Sequence, residues 1–266
     1  MTIIKQNTAE AGVANGTAVD ATNSALAGDA VLASAGSAGS LIFSNTSPYR
    51  GMLYYEVVPS GASGQRLIGL SGFSTDNAGT FRSTFAYKID SLPAGTRDVV
   101  LAYNTVGIST RMRLAATGIP SFMDRAGSTM FTGTTALVPN RWYIVKMVYT
   151  TGTSTTTGRV IWEVTDTTTS TVIASYSSDA ANTGVAGTEY ASNIQIGKGT
   201  TSTDTFKTGV DDLQARTDGV HALLDPLTTP VITPVVWMDT TGSGNWKGYE
   251  MWMDTSGAGA WARYDL

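Results

Sequence analysis

With 266 residues, the chain is long enough for one large domain with a hydrophobic core and a small appended unit. Charged residues make up only 14% of it and the formal net charge is −4, so it lacks the broad cationic surface that nucleic-acid binding requires. There is no cysteine and a single histidine, His221, which excludes thiolate chemistry and makes a multi-histidine metal site or a Ser-His-Asp triad hard to build. No run of about 18 apolar residues is present, so we expect no membrane insertion.

The first part of the chain predicts turns and short strands. We interpret residues 1–14 as an N-terminal arm. Small and polar residues dominate from Thr8 to Ser40, and short strands are predicted at 30–33 and 41–43. Further strands are predicted at 53–58 and 66–70.

Alternation of apolar and polar residues with period two is clearest in the middle of the chain. In residues 81–90, Phe81, Phe85 and Tyr87 share one face, and Arg82 and Lys88 share the other, which is typical of a strand with one buried face. The stretch 141–149 is apolar on both faces and predicts a central strand. Two antiparallel strands follow, at 159–165 and 172–176, on either side of a threonine-rich turn. Others are predicted at 99–103, 111–114, 193–196 and 206–215.

A dozen or so short strands with turn residues between them predict an all-β fold. We expect a two-sheet antiparallel jelly-roll sandwich over residues 15–217. Pro226, Pro230 and Pro234 follow it and fix an extended chain. Residues 218–234 are therefore predicted to be a linker or an extended arm.

A tandem repeat forms the end of the sequence. Residues 237–250 recur at 252–265 with Trp, Met, Asp, Thr, Gly, Gly, Trp and Tyr in the same places. Each copy predicts a strand, a glycine turn and a returning strand, so residues 235–266 should form a small C-terminal β meander, with strands near 235–240, 245–254 and 260–265. So small a unit is marginal alone and needs a partner surface.

The aromatic residues of the repeat are the candidate contacts. Copies of the tail could pack together, or attach the protein to another surface, through Trp237, Trp246, Tyr249, Trp252, Trp261 and Tyr264. Trp246 and Trp261 are also candidate glycan contacts, because aromatic faces suit sugar rings. The alternative is that these side chains pack on the sandwich or on one another.

No catalytic residues are predicted. Sandwich hydrolases use a carboxylate pair across a cleft, often from one strand. Glu163 and Asp166 should fall on opposite strand faces, and Glu56 has no acidic partner at i+2 or i+4. We therefore expect that the chain is not an enzyme.

A calcium ion is the one cofactor that the sequence suggests. Asp204, Asp211 and Asp212 are candidate ligands because carboxylate oxygens suit this cation. The alternative is a strand-entry turn whose carboxylates are solvated. No other cofactor is expected.

The strand order resembles that of a known family. A Tyr-rich strand at 52–58, an Arg-Trp-Tyr strand at 141–145, the strand 158–166, the strand 193–197 and an Asp-Asp-Leu strand at 209–214 are similar to those of concanavalin A-like and laminin-G-like jelly rolls. The segment from Asn15 to Ala30, which leads into the jelly roll, resembles the laminin-G-like proteins of tailed phages that infect actinobacteria. That resemblance implies a virion component, either a minor tail protein or a capsid-surface protein.

Two functions are consistent with these features, and a third, a glycoside hydrolase, is kept only because related sandwiches include such enzymes. The first is a phage virion structural protein displayed on the particle surface, as capsid decoration or minor tail protein, whose tail contacts other virion proteins or forms a homo-oligomer, for which we expect a trimer. The alternative is a carbohydrate-binding adhesin that recognises a host-surface glycan.

Overall fold

Two antiparallel β-sheets contain most of the secondary structure in the computed structural model. The structure describes residues 3–34, 39–61, 64–73, 80–185, 189–218, 220, 222–226, 235–238 and 247–250. The strands are β1 (Ile3–Asn7), β2 (Leu32–Ser34), β3 (Gly39–Ser44), β4 (Tyr54–Pro59), β5 (Gly64–Ser71), β6 (Thr80–Ile89), β7 (Arg97–Asn104), β8 (Ile108–Leu114), β9 (Pro120–Asp124), β10 (Thr129–Thr132), β11 (Tyr143–Thr150), β12 (Gly158–Asp166), β13 (Thr171–Ala181), β14 (Ala191–Ser202), β15 (Thr208–Thr217), β16 (Val235–Met238) and β17 (Lys247–Glu250). One short helix, α1 (Ala21–Ser24), precedes a 3₁₀ turn at Ala25–Ala27. Within these residues no helix has the length and apolar character to cross a bilayer.

The strand order confirms the predicted all-β sandwich. The large sheet has the order β13-β12-β11-β6-β15-β4-β3, with β1 also beside β15. The small sheet has the order β10-β9-β8-β7-β14-β5-β2. Every pairing of these strands is antiparallel, and distant strands are neighbours, as where β15 lies between β6 and β4. This arrangement is a jelly-roll-type sandwich.

The core lies between the two sheets, where the alternating stripes meet. Phe81, Phe85 and Tyr87 of β6 and Trp162 of β12 are buried there, as their alternation predicts. Trp162 stacks on Phe122 of the small sheet with ring centroids 5.1 Å apart. β11 is central, between β12 and β6, as predicted.

The opposite face of the large sheet is covered as well. On β6, Arg82 is 6% exposed and Lys88 is 8% exposed, although both were predicted on the polar face. Two segments from elsewhere in the chain cover them. Arg82 forms an ion pair with Asp218 and donates to the carbonyl of Ala222, and Lys88 donates to carbonyls of the 45–53 loop.

The N-terminal residues belong to the large sheet. β1 lies inside the predicted arm of residues 1–14 and pairs with β15 from Ile3↔Thr217 to Asn7↔Leu213. Asn7 is fully buried, and the hydroxyl of Tyr55 donates to its Oδ1 at 2.6 Å. The stretch Ile3-Ile4-Lys5-Gln6-Asn7 has no alternation, which is why the sequence did not predict this strand.

By its contacts the chain divides into residues 1–227 and 228–266. In the second unit, β16 and β17 pair antiparallel, with Val236 opposite Tyr249 and Trp237 opposite Gly248. They correspond to the first two predicted strands of the meander. The third, at 260–265, lies outside the described residues, as does most of the predicted linker. β9 and β10 in the first unit were not predicted.

Candidate cavity on the outer face of the large sheet

A small open cavity of about 150 Å³ lies on the outer face of the large sheet, away from the core. Its lining residues come from three neighbouring strands and the loops beside them. They are Thr46, Tyr54, Glu56, Lys88, Asp90, Asn140, Lys207 and Gly209.

Strand register brings these residues together. Tyr54 and Glu56 share a face of β4 because alternate residues of a strand point the same way. Gly209 of β15 lies opposite Glu56 on one side and opposite Lys88 on the other. A Cβ atom at Gly209 would lie 3.1 Å from the rings of Trp142 and Tyr54, so the absence of a side chain there leaves room for both rings.

An aromatic cluster separate from the main core adjoins the cavity through Tyr54, which lines the cavity and packs in the cluster. The Trp142 ring meets the Tyr54 ring edge to face, with ring centroids 5.4 Å apart. The Tyr49 ring centroid lies 5.9 Å from that of Trp142. The indole N–H of Trp142 donates to the carbonyl of Ser47 at 2.9 Å. The rings are held in place by contacts with the sheet and with the 45–53 loop.

Lys88 links this aromatic cluster to the 45–53 loop. Its ammonium nitrogen lies 4.1 Å from the Tyr54 ring centroid and donates to the carbonyls of Thr46 and Ser47 at 3.1 and 3.2 Å. Burial lowers the pKa of Lys88 because it disfavours the charged form, while Glu56 and Asp211 raise it. The contacts with the Tyr54 ring and with the two carbonyls hold the Lys88 ammonium in place.

The rim carries both hydrogen-bond donors and acceptors. Glu56 accepts from the Tyr54 hydroxyl at 2.8 Å and pairs with Lys207 Nζ at 3.1 Å. Asp90 accepts from the backbone N–H of Lys207 at 2.6 Å, and the Asn140 amide donates to the Asp90 carbonyl at 3.4 Å. Burial raises the pKa of the Tyr54 hydroxyl, so it remains protonated and can donate. Such mixed polar groups can bind neutral hydroxyl groups of a ligand.

The cavity also contains two carboxylates that the sequence did not place together. Glu56 has no acidic partner on its own strand, but Asp90, just after β6, lines the same cavity. The sequence indicates only that Tyr54 and Glu56 share a face of one strand and that Lys88 and Asp90 are spaced in the same way. Only the register of β4, β15 and β6 brings these pairs to one place.

The three predicted calcium ligands have different surroundings. Asp204 forms an ion pair with Arg97. Asp211 accepts from the backbone N–H groups of Arg50 and Asp212, at 3.3 and 2.9 Å. The described residues include no group of three or more metal-ligating side chains placed to hold an ion. Calcium binding at these aspartates stays a prediction.

Asp211 and Asp212 lie at a β-bulge in β15, where Asp212 adopts a φ of 46°. Both Asp212 side-chain oxygens are buried without a hydrogen-bond donor, and Arg50 Nε lies 3.8 Å from Asp212 Oδ2. Burial and the neighbouring Asp212 raise the pKa of Asp211 well above its usual range. Burial also raises the pKa of Asp212 to about 6, while Arg50 lowers it and Glu10 raises it.

The predicted tail contacts have no described side chains. Trp237 and Tyr249 lie on β16 and β17, whose backbones pair. Trp246, Trp252, Trp261, Tyr264 and the single histidine, His221, fall outside the described residues. The assignment of oligomer, attachment and glycan contacts to the tail therefore stays a prediction.

No model of a known protein family and no curated protein sequence matches the chain. Solved structures with a similar fold include lectin I from Ulex europaeus in complex with the methyl glycoside of α-L-fucose, at 7% identity and a TM-score of 0.48, covering 81% of this chain and 97% of the lectin. Alginate lyase vAL-1 from Chlorella virus has 11% identity and a TM-score of 0.47, covering 66% of this chain and 89% of the lyase. The sialidase of Trypanosoma rangeli has 14% identity and a TM-score of 0.44 over 80% of this chain, which spans about a third (35%) of the sialidase's length.

The class of protein is thus an all-β sandwich of jelly-roll type, with a concanavalin A-like legume lectin among the similar structures. Proteins that bind or act on carbohydrate are among them. The expectation that the chain is not an enzyme is corrected, because the similar structures include a sialidase and an alginate lyase and the fold is therefore shared with enzymes. That expectation rested on the lack of a carboxylate pair on one strand.

Proposed function

We propose that the protein binds carbohydrate in the cavity on the outer face of the large sheet. The observation that supports this is the convergence of the polar groups of Tyr54, Glu56, Asp90, Asn140 and Lys207 around one cavity. Sugars are bound by precisely placed polar groups that both donate and accept hydrogen bonds.

The size of the cavity limits what it can take. At about 150 Å³ it is smaller than the roughly 300 to 1,000 Å³ of pockets that enclose a drug-sized ligand. It is suited to one sugar residue at the end of a longer glycan or protruding from it. Tyr54 is 2% exposed and Trp142 is 9% exposed, so the two rings offer little free surface for stacking.

Replacement of one rim carboxylate tests the proposal. Glu56→Gln removes a charged acceptor while keeping its shape, and we expect it to weaken binding to a host-surface polysaccharide by about tenfold or more. Glu163→Gln is the matched control, because Glu163 also pairs with a lysine of the large sheet, Lys146 at 3.0 Å, and does not line the cavity. Calorimetric titration of both variants and the parent with purified host polysaccharides gives the comparison.

Two results would contradict glycan binding at this cavity. One is that the parent protein binds no host glycan preparation. The other is that the two Gln variants bind equally well. Release of reducing ends is measured in the same samples, since Glu56 and Asp90 both line the cavity, and turnover lost in Glu56→Gln would extend the proposal from binding to catalysis.

We propose further that the protein is displayed on a virion surface and reaches a host glycan from there. The support is the resemblance of the segment from Asn15 to Ala30 to phage laminin-G-like proteins and the tandem repeat of the tail, whose β16–β17 hairpin is too small to be stable alone. In this proposal the tail attaches the sandwich to other virion proteins or holds it in a trimer. A chain lacking residues 235–266 should lose incorporation into particles or fall in mass, and unchanged incorporation together with unchanged mass would contradict the proposal.

A further inference from the structure

Asp90 is the one carboxylate lining the cavity that forms no ion pair in the part of the chain that the structure describes. Its Oδ1 atom accepts two neutral donors, the backbone N–H of Lys207 at 2.6 Å and the hydroxyl of Ser91 at 2.9 Å. Within the same residues, no donor bonds to its Oδ2 atom. The cavity therefore contains a negative charge without a cation beside it, and one carboxylate oxygen is left for a ligand.

The two lysines of the cavity are engaged elsewhere. Lys207 Nζ pairs with Glu56 at 3.1 Å, so the charges of these two residues compensate each other. The Lys88 nitrogen lies against two aromatic rings and donates to two backbone carbonyls. A cation supplied by a ligand can therefore pair with Asp90 without displacing a cation of the protein.

Asp90 is held in place by its neighbours before any ligand binds. Its backbone N–H donates to the Lys207 carbonyl at 3.2 Å, and its side chain accepts the Lys207 N–H in return. Asn140, whose φ is 62°, donates its backbone N–H to the carbonyl of Ile89 at 2.7 Å and its side-chain amide to the carbonyl of Asp90 at 3.4 Å. Asparagine tolerates this left-handed conformation better than most residues do. A carboxylate fixed in this way loses little freedom when a ligand binds.

The groups beside Asp90 that a ligand can use are mainly hydrogen-bond acceptors. The Asn140 amide donates through its nitrogen, which leaves its carbonyl oxygen for a ligand. The Thr46 hydroxyl lines the same cavity and can also accept. By contrast, the Tyr54 hydroxyl is a donor that Glu56 already uses. An ammonium group has three donors and no acceptor, so it matches this set.

We propose that the sugar bound in this cavity carries a free amino group, and that its ammonium pairs with Asp90. This inference rests on the proposed function, since it names the class of sugar that the same cavity takes. A hydrogen bond between charged groups is about twice as strong as one between neutral groups, and a neutral hydroxyl would leave the charge of Asp90 unpaired. A sugar carboxylate would instead lie beside Asp90 and Glu56, where like charges repel.

Chemical N-acetylation of the polysaccharide tests the inference without any change to the protein. The probe is a purified host polysaccharide that the parent protein binds, used untreated and after acetic anhydride in water has converted its amino groups to neutral amides. We expect the treated sample to bind about tenfold or more weakly in calorimetric titration. Equal binding of the two samples would overturn the inference and leave glycan binding at the cavity standing. A parent protein that binds no host glycan preparation would contradict the proposed function itself, and the inference with it.

Asp90→Asn tests whether Asp90 is the partner of the amino group. Asparagine keeps an acceptor for Lys207 and Ser91 but removes the charge. The variant should therefore bind the untreated and the acetylated polysaccharide equally, at about the parent's affinity for the acetylated one. Asp124→Asn is the matched control, because Asp124 also accepts a backbone N–H, that of Ser128 at 2.8 Å, and does not line the cavity.

The control should keep the parent's preference for the untreated sample. Equal melting temperatures of the two Asn variants show that the fold is intact. An Asp90→Asn protein that still prefers the untreated polysaccharide as strongly as the parent does would mean that the amino group binds elsewhere, and this result overturns the proposal.

Discussion

The ammonium nitrogen of Lys88 lies 4.7 Å from the centroid of the Trp142 ring, so a charge on β6 that lines the cavity contacts an indole ring just before β11. Both also hydrogen-bond to the carbonyl of Ser47, at 3.2 and 2.9 Å. The 45–53 loop is therefore held on the sheet by two donors of different chemistry that meet at one acceptor. This arrangement explains how a lysine can be almost completely buried on the outer face of a sheet.

Lys88→Met should destabilise the protein by about 1 to 2 kcal/mol. The variant keeps the apolar stem but loses the cation–π contacts and leaves the Thr46 carbonyl without this donor. The cost of burying the ammonium offsets part of the loss. Urea unfolding measures the difference, with Lys146→Met as the control for a lysine in an ordinary pair with Glu163. Equal losses of unfolding free energy in the two variants would show that the contacts of Lys88 stabilise the protein no more than an ordinary ion pair does.

Asp212→Asn should stabilise the protein at neutral pH and have little effect in acid. The pKa of Asp212 is raised to about 6, so the folded protein holds this proton more tightly than the unfolded chain does. Stability from this group is then complete below about pH 4, falls as the pH rises to about 6, and stays low above it. A pKa difference of about two corresponds to about 3 kcal/mol, and we expect a gain of about 2 kcal/mol at pH 7.5 because the buried amide needs partners of its own.

The measurement is the free energy of unfolding of parent and variant between pH 4 and 8. Asp179→Asn is the control, since the Asp179 side chain is 77% exposed and its replacement should change stability by less than about 0.5 kcal/mol at any pH. A variant that is less stable than the parent at pH 7.5 would mean that the contact between Asp212 and Arg50 outweighs the cost of burial.

Thr110→Val should cost about 1 to 3 kcal/mol. The Trp162 indole N–H donates to Thr110 Oγ1 at 3.0 Å, and that hydroxyl donates to the Met123 carbonyl at 2.8 Å. Valine has a similar shape but would leave the buried N–H without an acceptor. Thermal unfolding followed by near-ultraviolet circular dichroism, which reports on the packing of the aromatic side chains, measures the loss. Thr132→Val, at an exposed position of β10, is the control and should be nearly neutral.

Gly69→Ala should cost about 3 kcal/mol or more, or prevent folding. A Cβ atom at this position of β5 would fall on the carbonyl oxygen of Ile194 in β14, where the backbones approach closely. Gly107→Ala is the control, because nothing lies within 4 Å of its Cβ position. It should fold normally with unchanged or slightly higher stability. The soluble yield and the urea midpoint of both variants test the contrast.

The fold was predictable where the period-two pattern is long. β6 and β12 have alternating aromatic and β-branched residues, and their stripes face the core as expected. β1 and β9 were missed because Ile3–Asn7 and Pro120–Asp124 are too short to show alternation. These strands exist because longer neighbours supply their hydrogen bonds, which a local pattern cannot reveal.

The candidate site was much less predictable. Tyr54 and Glu56 are visible as alternate residues of one strand, but nothing in the sequence indicates that Gly209 pairs with both Glu56 and Lys88. The burial of Lys88 comes from a loop about 40 residues away in sequence, Thr46 and Ser47, through backbone carbonyls that any residue would supply. Neither the register between strands that are distant in sequence nor a backbone carbonyl acceptor produces a recognisable sequence motif.

The ion pair between Arg82 and Asp218 has a mechanical consequence. It fastens the chain to the large sheet one residue after β15 ends, at the start of the segment that leads to the tail. A force applied through the tail reaches this pair before it reaches any strand. Behind it, β15 has neighbours along both sides, so pulling it out would break hydrogen bonds to β1 and to β6.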